Sequence, residues 1–371
     1  MKLEGLRNLQ PLSIATDADC IIFTGINGSG KTSLLEGIYL LSRCASFRTK
    51  NLSSLINYNS NELSCFGEIR QKNLDKIGLV RSRSKRTTKL NLNGTGPRSI
   101  SDIASVFPTL LITPYTFQLI EGGPKERRKL LDWGLFHVEP AYKENWRKWR
   151  KVLLQRNGLL KNDTIPTKEI DTWDDVFLEY SNRITKQRQK YFNLLLKNFR
   201  AESQPVQSCL QNSEFFKDLV KNTELDFYQG WSQKKTLKDV IRENSEFDRR
   251  LRSTKFGPQR ADMVVKTRGH HASEIFSRGQ LKVLITKILL AQLRIIREYG
   301  QNSCTVLVDD IGAELDKNNQ LSLLESILEE KAQVIVTVLD ENHATELYES
   351  LYGRHSVKMF HVKHGQISSF I

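Results

Sequence analysis

The sequence predicts an α/β fold whose core is split by a helical insertion, and three observations carry that prediction. Short β-rich apolar runs lie near both ends of the chain, Cys20-Ile21-Ile22-Phe23-Thr24, Thr305-Val306-Leu307-Val308 and Val334-Ile335-Val336-Thr337-Val338. Each is continuous rather than alternating, the pattern of strands buried on both faces. Between them the periodicity changes to helical. Trp146, Trp149, Leu153, Arg156 and Leu160 recur at spacings of three and four. So do Trp173, Phe177, Tyr180, Ile184, Gln187, Tyr191 and Leu194, which predicts two long helices packed as an antiparallel pair. From Glu62 to Leu92 apolar and polar residues alternate and end at the turn pair Asn93-Gly94, so this stretch is predicted to form an antiparallel sheet.

The elements follow in order. Cys20–Thr24 runs into a glycine-rich turn, and Leu34, Leu35, Ile38 and Leu41 then fall at helical spacing, giving strand, loop and helix. The arm is expected at 125–200, its helices joined by the turn residues Asn162-Asp163-Thr164-Ile165-Pro166. It divides an N-terminal part, 1–124, from a C-terminal part, 201–371. After Ser277 comes an apolar helix through Leu284, Ile288, Leu289, Ala291, Leu293 and Ile296, then the two later strands with a helix between them.

Composition excludes several classes. The 371 residues are 39% apolar and 26% charged, with 21 Gly and 9 Pro, the balance of a globular protein rather than a fibrous or disordered one. No apolar run approaches the ~20 residues of a membrane span. The opening Met1-Lys2-Leu3-Glu4-Gly5-Leu6-Arg7 lacks a secretion-type apolar stretch, so a cytoplasmic location is expected. Five scattered cysteines, Cys20, Cys44, Cys65, Cys209 and Cys304, show neither a disulfide framework nor zinc spacing. The charge of +14 favours a polyanionic partner, nucleic acid above all.

Gly25-Ile26-Asn27-Gly28-Ser29-Gly30-Lys31-Thr32 fits the phosphate-binding loop pattern GxxxxGK[ST], after a buried strand and at a helix start. There the backbone N–H groups curl round a phosphate. Lys31 reaches the β- and γ-phosphates, the Thr32 hydroxyl takes Mg²⁺, and Ser33 continues the turn. A buried strand delivers Asp309 to the same edge for the metal, and Asp310 beyond it is the candidate to orient an attacking water. Ser277-Arg278-Gly279-Gln280 begins the long apolar helix, with Ser277 as its N-cap.

Taken together these motifs resemble those of the ABC-type ATPases. The resemblance implies that Ser277, Arg278, Gly279 and Gln280 are the signature motif, binding the γ-phosphate of a nucleotide held by the opposite subunit. It implies that Ala313-Glu314-Leu315-Asp316 is the D-loop, with Asp316 its acid, and that Thr337 takes the switch position. Within that class the chain is similar to the RecF family of SMC-like ATPases over nearly its whole length. The similarity is carried by the Walker A stretch running through Ser33-Leu34-Leu35-Glu36-Gly37-Ile38-Tyr39, by Ser46-Phe47-Arg48, and by the run from Gly122-Gly123-Pro124-Lys125-Glu126-Arg127-Arg128 to Asp132-Trp133-Gly134. Gly257-Pro258-Gln259-Arg260-Ala261-Asp262, the SRGQ form of the signature and the Asp309-Asp310 pair complete it. Tyr115, Phe276 and Leu6-Arg7-Asn8 depart from the pattern, and Gln118 is either a metal-loop residue or a solvated one.

The resemblance implies an ABC-type P-loop ATPase head with an antiparallel β subdomain and an inserted helical arm. It further implies a DNA-binding protein of recombinational repair, replication restart and the SOS response. Such a protein binds ATP, Mg²⁺ and double-stranded and gapped DNA, closes as an ATP-dependent homodimeric clamp at single-strand gaps, helps load the recombinase with RecR and RecO, and hydrolyses ATP slowly for release, as a weak DNA-stimulated ATPase. The basic run from Arg70 to Arg98 includes Arg81, Arg83, Lys85 and Arg86, which are candidate DNA contacts. A second basic cluster, Arg147, Lys148, Arg150, Lys151 and Arg156, lies on the arm. The nucleotide-binding subunit of a membrane transporter is the alternative; a small-molecule P-loop kinase would have no use for the signature or the D-loop.

Overall fold

The computed structural model describes residues 1–97, 99–162, 167–201 and 214–369; Arg98, Cys209 and the predicted turn at 163–166 lie outside them. The chain forms two compact units. One holds Met1–Thr116 and Ile296–Ile371, the other Phe117–Glu202 and Lys217–Ile295.

The first unit is built on a six-stranded sheet in the order Gln366–Ser369, Val357–Lys363, Cys20–Thr24, Gln333–Val338, Thr305–Val308, Thr109–Ile112. All neighbours run parallel except the hairpin formed by the first two. Cys20–Thr24 is buried at all five positions, because it has a strand on either side and other elements on both faces. Ile22 sits opposite Val336 on one side and Met359 on the other. Three expected strands are therefore central. Thr109–Ile112, only four residues long, and the hairpin Val357–Ser369, where Phe360 and His361 are only partly covered and break the alternation, carry no clear strand pattern in the sequence.

The expected antiparallel sheet forms from Glu62–Arg70, Leu74–Ser82 and Thr88–Leu92, extended by Lys2–Glu4 and Leu12–Ser13. Beyond it Asn93 and Gly94 both take positive φ, 53° and 87°, and the backbones of Leu92 and Thr95 bond across them, the mirror-image turn that Asn-Gly favours. The helix Lys31–Arg43 lies in the core of this unit: Leu34, Leu35, Ile38 and Leu41 pack with Leu3, Leu63 and Leu79 of the antiparallel sheet and with Ile21, Phe23 and Ile335 of the parallel one. Gly37 keeps that helix close, since a Cβ there would lie 2.8 Å from Leu3 and 2.9 Å from Leu6.

The second unit contains three helices where the sequence suggested a pair: Pro124–Val138, Tyr142–Leu159 and Thr167–Arg200. The last two are antiparallel, with Asn145 bonded to Gln187 at one level and Arg156 to Asp174 at another. Their seam differs from the predicted one. Phe177, Ile184 and Tyr191 are buried as expected, but Ser181, Arg188 and Leu195 fill the alternate places instead of Tyr180, Gln187 and Leu194. A hydrophobic pattern skips Ser and Arg, and here the arginine is made compatible with burial by its partners. Arg188 is bidentate to Asp132 at 2.8 and 2.9 Å and donates to the Pro258 carbonyl. Arg156, the other buried guanidinium, pairs with Asp174 at 2.6 Å and Asp248 at 2.8 Å and donates to Thr254 Oγ1. It is a core residue and not a phosphate contact.

A three-stranded sheet, His270–His271, Asp262–Thr267 and Thr223–Tyr228, belongs to the same unit. Arg127 is bidentate to Asp262, Arg128 donates to the Ala261 carbonyl, and Gln292 to the Leu130 carbonyl. Through these bonds residues well past 200 join the core around the arm helices. Asp248→Ala leaves Arg156 buried and short of a carboxylate, and is expected to cost about 3 kcal/mol in urea unfolding; a change within error would show that Asp174 and Thr254 alone satisfy the guanidinium.

Candidate functional site

Parallel strands bring their C-terminal ends to one edge of a sheet, and here three such ends meet. Gly25 follows Cys20–Thr24, Asp309 follows Thr305–Val308, and Thr337 is the penultimate residue of Gln333–Val338. At this edge lies a cleft of about 630 Å³ whose lining includes Asn27 through Ser33, Asp309, Asp310 and Thr337, together with Arg7, Asn8, Arg48, Tyr58 and Leu339.

Backbone geometry makes the loop a cradle. Gly25, Gly28 and Gly30 all have positive φ, 148°, 77° and 119°. A Cβ on Gly25 would fall 2.2 Å from the Val362 carbonyl oxygen, so no side chain fits. The helix Lys31–Arg43 starts at Gly30 without a side-chain cap and with no acid in its first turn, which leaves its first amides and the positive end of its dipole to the cleft. Ser29 Oγ is buried and, among the described residues, has no hydrogen-bond partner. Buried hydroxyls without partners are rare in native proteins, and this one fits an anion in the cradle. Lys31 Nζ donates to the Gly25 and Ile26 carbonyls. Partial burial lowers its pKa, while Asp310 and Asp309 oppose that shift.

Two hydroxyls converge on one carboxylate. Thr32 Oγ1 donates to Asp309 Oδ1 at 3.0 Å and Thr337 Oγ1 to the same oxygen at 3.1 Å. Burial raises the Asp309 pKa, offset by these two hydrogen bonds; the neighbouring Asp310 adds to the rise and Arg48 opposes it. Asp310 has a left-handed backbone, φ 52°, and its amide donates to Thr337 Oγ1 at 2.7 Å. A hydroxyl and a single carboxylate are hard oxygen donors too few to cage a cation, and no cluster of three or more His, Cys, Asp or Glu suited to a metal exists among the described residues. This donor set fits Mg²⁺, which keeps most of its waters and shares phosphate oxygens.

Several supporting residues carried no role in the sequence reading. Asn8 donates to the Gly28 carbonyl at 3.0 Å and accepts from Ser33 Oγ at 3.2 Å, bracing the loop at two points. The Gly365 amide, in the hairpin turn, donates to the Ser29 carbonyl at 2.8 Å. Glu36 is fully buried, holds the Arg7 guanidinium by a fork and accepts from Ser46 Oγ, which in turn accepts from the Arg48 and Thr49 amides. The signal available was a glutamate on the apolar face of a helix, which needs a cationic partner when buried.

The signature segment belongs to the second unit. Ser277, Arg278 and Gly279 are exposed at the start of the helix Arg278–Tyr299. Ser277 N donates to Gln280 Oε1 at 2.8 Å and Gln280 N to Ser277 Oγ at 3.3 Å, a reciprocal cap. In the first unit Asp316 caps the helix Lys317–Glu329 through the Asn319 amide. Gln118 is exposed at the start of Gln118–Glu121.

The basic candidates separate into two kinds. Arg81 donates to Ser53 and Thr88, and Arg83 to the carbonyls of Ile56, Asn57 and Ser60, so both guanidinia serve the fold. Lys85 and Arg86 stand exposed at the hairpin tip.

The family model described as "RecF/RecN/SMC N terminal domain" matches residues 1–365. A relative from Hahella chejuensis (strain KCTC 2396), "DNA replication and repair protein RecF", is 42% identical over 98% of this chain and 96% of that protein. One of the same name from Stutzerimonas stutzeri (strain A1501) is 34% identical over 99% and 96%. Among solved structures, "the recombination mediator protein RecF-ATP in RecFOR pathway" matches with a TM-score of 0.82 and 23% identity, covering 100% of this chain and 96% of that one. The "SmcHead bound to the C-winged helix domain of ScpA" matches at 0.53, with 15% identity over 100% and 96%. With a cleft framed by Lys31, Thr32 and Asp309 and this similarity along its length, the chain belongs to the RecF family, and its fold is the SMC-like α/β ATPase head with an antiparallel β subdomain and an inserted helical arm.

Proposed function

We propose that the protein is an ATP-gated DNA-binding protein of recombinational repair and replication. One observation carries the reading: a single sheet edge gathers an open phosphate cradle, a lysine, and a carboxylate bonded to two hydroxyls. Lys31 and the first amides of its helix hold phosphate charge; Asn8 and Gly365 keep the loop in shape for it. Thr32 and Asp309 hold Mg²⁺, which when bound supplies a Lewis acid that draws charge from the phosphates. Asp310 orients and polarises the attacking water. Ser277, Arg278, Gly279 and Gln280 offer an exposed helix N-terminus to the nucleotide of a second copy, so the active form is a homodimer with composite sites. Asp316 and Thr337 serve it as D-loop and switch residues.

Relatives named for DNA replication and repair, and a neighbour described with ATP in the RecFOR pathway, support DNA as the ligand and RecR and RecO as partners. Closure would form a clamp at single-strand gaps that helps load the recombinase, with slow hydrolysis as release. Of the DNA candidates Lys85 and Arg86 are the ones free to meet phosphate; Arg81 and Arg83 position the loop beside them. No helix among the described residues is long and apolar enough to cross a membrane. The transporter-subunit alternative is not favoured, because the full-length relatives are RecF proteins.

Light scattering with anisotropy of labelled gapped DNA tests this. ATP should convert monomer to dimer and tighten DNA binding together. Lys31→Arg should retain some ATP binding but lose hydrolysis, since the guanidinium cannot reproduce the ammonium's point charge. ATP-independent assembly and wild-type turnover of Lys31→Arg would overturn the reading.

A further inference from the structure

Two chain segments leave the cleft, and they are tied to each other at the cleft and again beyond it. One runs from Asp310 through the short helix Ile311–Glu314 to Asp316; the other runs from Thr337 into the helix Glu341–Leu351. The first tie, Asp310 N to Thr337 Oγ1, lies at the cleft. The second lies beyond it and is made by His343, which does not line the cleft and is only 7% exposed.

His343 Nε2 is 2.6 Å from Gln320 Oε1, and Gln320 Nε2 donates to the Leu315 carbonyl at 2.6 Å. Only an amide nitrogen can face that carbonyl, so the orientation of Gln320 is fixed and its oxygen accepts. His343 Nε2 is therefore the donor. The ring is held from its other side as well, where Nδ1 meets Glu346 Oε2 at 3.1 Å and Lys317 Nζ meets the same carboxylate oxygen at 2.8 Å. Asp340 fixes the start of the helix by accepting from the His343 amide at 2.7 Å. The chain of bonds thus runs from the helix after Thr337, through one imidazole and one amide, to the backbone at the far end of the segment that begins at Asp310.

We infer that His343 is a positioning residue for hydrolysis: through Gln320 and the Leu315 carbonyl it fixes the path of the segment 311–316 and so holds Asp310 in its left-handed conformation at the cleft. The inference rests on the reading of the cleft as an ATPase site. Gln320 is the second member of the same device. A residue of this kind affects the chemical step and not the affinity for nucleotide, because the cradle lies on another segment and Asp309, although next to Asp310, is held separately by the Thr32 and Thr337 hydroxyls.

The test measures ATPase kcat and KM, equilibrium binding of a fluorescent ATP analogue, and ATP-driven dimerisation for wild type, His343→Leu, His343→Gln and Gln320→Glu. His343→Leu should lower kcat by roughly tenfold or more, as loss of an outer-layer partner does elsewhere, with analogue affinity unchanged. His343→Gln, which can still donate to Gln320, should recover most of the loss. Gln320→Glu keeps an acceptor for His343 but sets a carboxylate against the Leu315 carbonyl, so it should match His343→Leu; it decides the matter should His343→Leu not fold. Wild-type kcat in either folded variant, failure of His343→Gln to rescue, or a parallel loss of nucleotide affinity overturns the inference. Absence of ATP-driven dimers and hydrolysis in the wild type would instead strike the underlying reading, and is visible without any variant.

Discussion

Ser277→Arg is expected to abolish ATP-driven association while each subunit still binds ATP. The substitution sets a bulky cation at a helix N-terminus, where it opposes the dipole and occupies the place of the phosphate. Ser277 is exposed, its amide and hydroxyl bonded to Gln280 in the reciprocal cap and its carbonyl to the Leu281 amide, so loss of the cap by itself costs about 1 kcal/mol of stability and leaves assembly alone. The two readings differ in a measurable way. In the composite site, ATPase specific activity rises with protein concentration in the wild type and stays low in the variant. Mixing Ser277→Arg with Lys31→Met subunits should recover one intact site, formed by the P-loop of the first and the signature of the second. Normal ATP-dependent dimers of Ser277→Arg alone, seen by sedimentation, would refute a site completed in trans.

The adjacent acids should give opposite phenotypes. Burial raises the Asp309 pKa, which means that folding disfavours its charged form. The resulting cost is present at neutral pH and is relieved as pH falls through the folded-state value towards the ordinary ~3.9 of an aspartate. Asp309→Asn removes that cost while keeping an oxygen for Thr32 and Thr337, so the nucleotide-free protein should melt a few degrees higher. It should also lose Mg²⁺-dependent ATP binding. Asp310→Asn should bind Mg²⁺-ATP normally and accumulate as closed dimer, because its carboxylate serves the water and not the metal. Calorimetry and nucleotide titration of both variants check this, and matching behaviour would argue against divided roles.

Motif residues were legible because their chemistry constrains spacing. The loop Gly25–Thr32, the strand ends at Asp309 and Thr337 and the helix cap at Ser277 all form where the sequence places them. The residues that brace them were not legible, since Asn8, Glu36 and Gly365 act through contacts with distant segments that no local pattern encodes. The arm shows the same limit. Its period was readable and placed Arg156 on the seam, but the burial of Arg188 depends on Asp132 reaching across to it, which the spacing does not show. Likewise, net charge identified a basic hairpin but could not tell guanidinia occupied by carbonyls from those left in solvent.

The bond from Gly365 to Ser29 has a consequence for biosynthesis. Strand Cys20–Thr24 emerges from the ribosome early, yet both of its neighbours, Gln333–Val338 and Val357–Lys363, and the turn that braces its phosphate loop are made only after the whole arm. A nascent chain therefore carries this fully buried apolar strand without its partners for most of translation, a topology that folds slowly and invites chaperones. A chain ending before Gln333 lacks both neighbours of that strand and the Gly365 brace on its phosphate loop, so a fragment of that length is expected to bind ATP far more weakly than the whole chain.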